Sequence, residues 1–203
     1  MRGSSRWAAL ALILLAACAS HVDTSGPQAS SGSIAGPDGA GLPGLSRSIL
    51  PGYVVHVSTL DATALSADAL DPPSLVELLK NAGFEVGREG TFSSRGKALT
   101  IVITRVLRFD EPAGAAGYLD WLRSHPADLL GSTTEVSDPP PIPAAIAFAH
   151  APCASCSKDT YWYFAAWTRG PYAVTLRAAG PHAGLAAATP LARALDASVR
   201  KDG

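Results

Sequence analysis

The chain has 203 residues, enough for one domain with a real core once a leader and a tether are set aside. Its 16 basic and 17 acidic residues leave a formal charge of −1. No basic patch stands out, which excludes nucleic acid as a partner on electrostatic grounds.

Arg2 and Arg6 precede an apolar run, Trp7 to Ala17. That run is too short to span a bilayer, which takes about 20 apolar residues, and a basic flank with a short apolar stretch describes an export signal. Leu15-Ala16-Ala17-Cys18 resembles the lipobox of bacterial lipoprotein signal peptides. The resemblance implies cleavage before Cys18, a diacylglyceryl thioether on its sulfur and further acylation (palmitate) of the new amine, with residues 1–17 as the signal peptide. The alternative is a plain secretory signal in which Cys18 is incidental. Losing Arg2 and Arg6 leaves 14 basic against 17 acidic residues, a mildly acidic mature chain at −3.

From Ala19 the sequence is rich in Ser, Gly, Ala and Pro and buries too little apolar surface to offset ordering entropy. Residues 18–48 therefore read as lipidated cysteine plus disordered tether, and residues 49–203 as the globular domain. A strand is expected over Gly52 to Val57. Asp71-Pro72-Pro73 opens a helix whose apolar positions are Leu75, Leu78, Leu79 and Ala82, and Gly83 ends it. Phe84 to Phe92 and Ala98 to Phe109 read as paired strands about the turn Ser93 to Gly96. Thr100 to Thr104 is β-branched throughout, which predicts a central strand buried on both faces.

Asp110-Glu111-Pro112 predicts a second helix, capped by its acids, with Ala115, Tyr118, Leu119 and Leu122 on the apolar face and an end near Ser124. A surface loop is expected through Pro139-Pro140-Pro141, its Pro140 and Pro143 spacing marking a stiff connection. Strands follow over Ala144 to His150, Tyr161 to Thr168 and Tyr172 to Ala178, with Arg169-Gly170-Pro171 as a tight turn. Leu185, Ala188, Leu191, Leu195 and Val199 mark a C-terminal helix. The pattern predicts an α+β fold, a mostly antiparallel sheet of five to six strands with helices packed on it.

Cys153-Ala154-Ser155-Cys156 is the strongest local chemistry. Pro152 precedes it and no helix pattern follows, so no helix dipole lowers a thiol pKa. In an exported chain the even pair reads as a structural disulfide between Cys153 and Cys156. Disulfide exchange is the redox alternative. A metal alternative takes His150, Cys153 and Cys156 with a fourth ligand from His125 or His182, but the spacing does not supply a closed zinc site. In Tyr161 to Trp167, alternation sends Tyr161, Tyr163 and Trp167 to one face and Trp162 and Phe164 to the other. Both sets read as core, with a ligand groove on one face as the alternative. His21 and His56 join the other histidines without convergence, and no nucleophile elbow, zincin helix or phosphate loop occurs. No catalytic residue, metal ligand or cofactor is assigned.

Ala82-Gly83-Phe84, Arg105 to Phe109 and Trp167 to Tyr172, each beside a predicted strand or helix, are similar to small exported lipoproteins of GC-rich bacteria. The excess of arginine over lysine (Lys80, Lys97, Lys158 and Lys201) fits that composition. Such proteins have folds like the PsbP extrinsic photosystem protein or the extracellular sensor domains of receptor kinases. The resemblance implies binding or accessory work and brings no catalytic residues with it. The resulting expectation is a non-enzymatic envelope lipoprotein, anchored to the outer face of the cell membrane or to the outer membrane, that binds an envelope protein or a small apolar ligand. The alternatives are a lipid carrier with a pocket between sheet and helices, and a thiol oxidoreductase using Cys153 and Cys156.

Overall fold

Seven segments of the chain, most of them rich in alternating apolar residues, build one antiparallel sheet. The computed structural model describes residues 41–132, 134–150 and 161–202. Its strands are β1 (Val54–Leu60), β2 (Phe84–Ser93), β3 (Ile101–Phe109), β4 (Thr134–Val136), β5 (Ile146–His150), β6 (Trp162–Arg169) and β7 (Tyr172–Ala179). Their spatial order is β1-β2-β3-β7-β6-β5-β4, and every pairing is antiparallel. Two meanders, β1 to β3 and β4 to β7, are thus joined where β3 meets β7. The α+β class holds, and the sheet has seven strands rather than five to six. The added strand is β4, three residues inside the expected loop, which gains its order from β5 and carries no pattern of its own. The middle of the sheet is β7; β3 lies inside it, but its first residue, Ile101, is 42% exposed.

The helices are α1 (Ala62–Ser66), α2 (Pro72–Asn81), α3 (Pro112–Ser124), α4 (Pro126–Leu130) and α5 (Leu185–Asp202). Asp71 caps α2 by accepting from the Ser74 amide, and its carboxyl is held below the ordinary carboxylate range by the Ser74 hydroxyl and amide. Gly83 ends α2 at φ +71°, where a side chain would be strained. A Cβ there would also collide with the Asp110 carboxylate. That contact corrects the expected capping of α3: Asp110 lies against Gly83, and Glu111 holds the N-cap position without a side-chain hydrogen bond. The short helices α1 and α4 went unexpected because five residues are too few to show a helical period. Asp61 caps α1 through the Ala64 amide at 2.7 Å.

The sheet is packed on both faces. On one, Val102, Val106, Val174, Leu176, Tyr163 and Trp167 meet α5 through Ala188, Leu191, Leu195 and Val199. On the other, Leu107, Phe109, Phe164 and Ala173 meet α1 to α4 through Leu65, Leu79, Tyr118 and Leu122. The alternation expected within Tyr161 to Trp167 therefore places Tyr163 and Trp167 in one core and Trp162 and Phe164 in the other. The domain boundary moves: Leu42, Leu45 and Leu50 are buried, a 3-10 turn runs over Arg47–Ile49, and Ser198 donates to the Gly44 carbonyl. Packing thus begins before Ile49. Ile142 is also buried, so the expected surface loop is pinned to the α5-side core, and the Tyr163 hydroxyl donates to the Asp138 carbonyl at 2.8 Å.

Candidate functional site

Register fixes which side chains share the face that carries α1 to α4. Leu60, Gly87, Leu107 and Ala173 lie side by side across β1, β2, β3 and β7, all buried under helices. Two residues along each strand, on the same face, the row reads Ser58, Glu89, Arg105 and Thr175. The next reads His56, Thr91, Ile103, Arg177 and Phe164, and a fourth Val54, Ser93, Ile101, Ala179 and Trp162. One half of this face is therefore an apolar core and the other half is polar and partly open.

The polar half is built around two arginines on adjacent strands. Arg105 donates through Nε to Glu89 at 2.7 Å, both side chains being 18% exposed, and the Thr91 hydroxyl also donates to Glu89. Arg177 lies over the Trp162 ring, 5.4 Å from its centroid. Among the described residues no carboxylate or carbonyl accepts a hydrogen bond from Arg177, and Arg105 gives only its Nε, to Glu89. Burial pushes the Arg177 guanidinium pKa down, the Arg105 charge adds to this, and Asp68 opposes it.

Between sheet and helices a cavity of about 70 Å³ is floored by Arg105, Thr175, Arg177 and Phe164. Asp68, from the α1–α2 connection, and Leu129 and Leu130 of α4 close its other side. The Leu70 amide donates to the Asp128 carbonyl at 2.8 Å and ties that connection to α4. Under α3, the Tyr118 hydroxyl is buried without a hydrogen-bond partner among the described residues; burial pushes its pKa up to about 12, against a smaller pull from the Arg105 charge. At the open end of the face an outer groove of about 1080 Å³ runs past Val54, which is 74% exposed, Ser93 and Ile101. The arrangement can hold a negatively charged group on guanidinium donors, with apolar surface beside it.

Cys18, Cys153 and Cys156 lie outside the described residues. Of the histidines offered as metal ligands, His150 packs on Tyr161 and Trp162, and His125 ends α3 stacked on Trp121. His182 donates its amide to the Ala98 carbonyl. Among the described residues no three His, Cys, Asp or Glu side chains gather as a metal site. Arg105, Arg177 and Glu89 were not picked out from the sequence. Their signal was there: Arg105 stands at an inward position of Val102 to Leu107, and Arg177 interrupts Ala173 to Ala178, in strands with helices on both faces.

No protein-family model matches the chain, and no curated protein matches it. Among solved structures, the extracellular domain of PknH from Mycobacterium tuberculosis is similar, with a TM-score of 0.48 and 14% sequence identity. The match covers 76% of this chain and 89% of that one. None of the comparisons bears on the lipobox or on PsbP.

Proposed function

We propose that this chain is an exported, lipid-anchored envelope protein whose domain binds a partner or ligand, without catalysing a reaction, through the polar half of its helix-bearing sheet face. The observation that carries the reading is the change of chemistry along that face, from Leu60, Gly87, Leu107 and Ala173 to Glu89, Arg105, Thr175 and Arg177. Burying charge costs several kcal/mol per ion unless it is paired, so a fold that only needed stability would extend the apolar rows. Export and anchoring rest on Arg2, Arg6, the run Trp7 to Ala17 and Cys18. Among the described residues no helix is long and apolar enough to cross a membrane, and in this reading the acyl chains on Cys18 supply the attachment.

The space between sheet and helices favours a surface site over a lipid carrier: among the described residues the cavity on Arg105 and Arg177 holds about 70 Å³, well short of the roughly 300–1,000 Å³ of small-molecule pockets. The test places a photo-crosslinking residue at Thr91, on the polar half-face, or at Arg193, exposed on α5, in the full chain within its own envelope. One defined adduct from Thr91 and none from Arg193 supports the reading, and equal or absent labelling at both positions rejects it. Anchoring is checked separately by C18S, which should lose the acyl mass and leave the membrane fraction.

A further inference from the structure

We infer that Arg177 and Arg105 form a binding site for the carboxylate of a small amphiphilic acid, whose apolar body lies over Ile103 and Ile101 toward Val54. The inference rests on the binding reading above and names the ligand class. Two guanidinium groups share the floor of one cavity, on adjacent strands whose register sets Arg105 beside Thr175 and Arg177 beside Ile103. Arg105 spends one N–H on Glu89, and among the described residues Arg177 spends none on a protein acceptor. Half-buried donors in this position favour an incoming anion, because a charge-assisted hydrogen bond in a partly desolvated site is stronger than one to water. Trp162 holds the Arg177 guanidinium from its ring face, leaving its edge N–H groups for a planar, two-oxygen acceptor.

Charge and size select the carboxylate. Arg105 and Arg177 stand against Glu89 and Asp68, so the empty site is formally neutral, and a monoanion perturbs that balance less than a phosphate dianion. The cavity of about 70 Å³ accommodates a carboxyl group and little more. The body of the ligand must then lie outside, and the same face supplies apolar surface there: Ile103 beside Arg177, then Ile101 and Val54 on the near side of the groove of about 1080 Å³, whose far side carries Arg95, Lys97 and His182. The ligand class is a short-chain or branched carboxylic acid, with one charge at one end.

The test titrates the full chain, ¹⁵N-labelled at arginine, with hexanoate, with neutral hexanamide of nearly the same shape, and with hexyl phosphate, reading the Nε–H resonances of Arg105 and Arg177. The expected result is a saturable shift of both resonances with hexanoate, about tenfold or more weaker with hexanamide, and weakened similarly by R177Q. Hexanamide as strong as hexanoate, or hexanoate binding unchanged in R177Q, overturns the carboxylate site while leaving the half-face a binding surface. Tighter binding of hexyl phosphate overturns the choice of carboxylate. Shifts that grow linearly with all three overturn the inference, whereas the binding reading is judged independently by crosslinking at Thr91. The hexanamide comparison needs no variant and stands even if R177Q fails to fold.

Discussion

The two faces of the sheet share the same seven strands and differ in what they do with alternation. On the α5 face the residues of β3, β7 and β6 that α5 covers are apolar or small, apart from Thr104, which donates to the Gly90 carbonyl, and Arg108 and Arg169 stand at the strand ends of the same face. Charge on this face also includes Arg88 of β2, which pairs in register with Val106, and Arg108 meets Glu85; at the α5 margin Asp196, 2% exposed, holds Arg169 through two bonds at 2.7 and 3.2 Å and also meets Arg200. On the opposite face the strands run from core to charged floor within two residues. A helix covers the first half, and beyond it Arg105, Glu89 and Arg177 keep partial access to water. Charge is thus placed according to cover: enclosed Asp196 is held by two arginines, whereas Arg105 and Arg177 keep spare donors where the face opens.

The largest expected effect tests whether the two covered regions are equally well packed. Leu195→Ala on α5 and Leu122→Ala on α3, both fully buried, should each cost about 3–4 kcal/mol in urea unfolding. Ile103→Ala, half-buried on the polar half, should cost about 1 kcal/mol. A cost for Ile103 equal to the leucines would mean that the polar half is as closed as the core. Next comes Asp196→Ala, which strands Arg169. Because Arg169 is 23% exposed, water relieves part of the penalty, and we expect a loss of about 2 kcal/mol, below the 3–5 of a fully enclosed pair.

A tyrosine on each face makes a finer contrast. Tyr163 donates to the Asp138 carbonyl, so Tyr163→Phe should cost about 1 kcal/mol. The Tyr118 hydroxyl has no hydrogen-bond partner among the described residues, so Tyr118→Phe should change stability by less than about 0.5 kcal/mol near neutral pH. Alkaline titration brings the two together. Burial raises both pKa values to about 12, with the Asp138 charge adding to the effect at Tyr163. The unfolded chain loses these protons first, near pH 10. The stability they confer is therefore complete below pH 10 and is lost as pH rises toward about 12. Thermal melts from pH 9 to 12 should show this decline in the wild type and a shallower one in the double Phe variant. Equal slopes would remove the tyrosines as its cause.

Much of the fold was legible in the sequence because its longer elements carry strong local signals. Asp71 with two prolines, Gly83 after Leu79, and the alternation of Tyr163, Ala165 and Trp167 against Trp162, Phe164 and Ala166 each fix an element or a face. What escaped was set by tertiary pairing: β4 exists through β5, α1 and α4 are shorter than two helical turns, and Leu42 and Leu45 sit in a Gly- and Pro-rich stretch that reads as tether. The candidate site escaped for a different reason. An arginine on a strand looks like a solvated position until the register shows that Arg105 and Arg177 lie on neighbouring strands of one half-covered face.

The placement of β7 also has a kinetic consequence. Among the described residues it is the last strand in sequence and the middle strand of the sheet, and its pairing with β3 joins the two meanders. A polypeptide emerging N-terminus first can form the β1–β3 meander early, but β3 then keeps a raw hydrogen-bonding edge until residue 179 arrives. The decisive pairing, Ile101 with Ala179 through Arg108 with Tyr172, joins residues 64 to 78 positions apart, which puts closure among slow, high-contact-order folding events on the millisecond-to-second scale. Until that moment the open edge of β3 is an aggregation hazard. Slow closure also keeps the chain threadable for as long as its C-terminus is withheld.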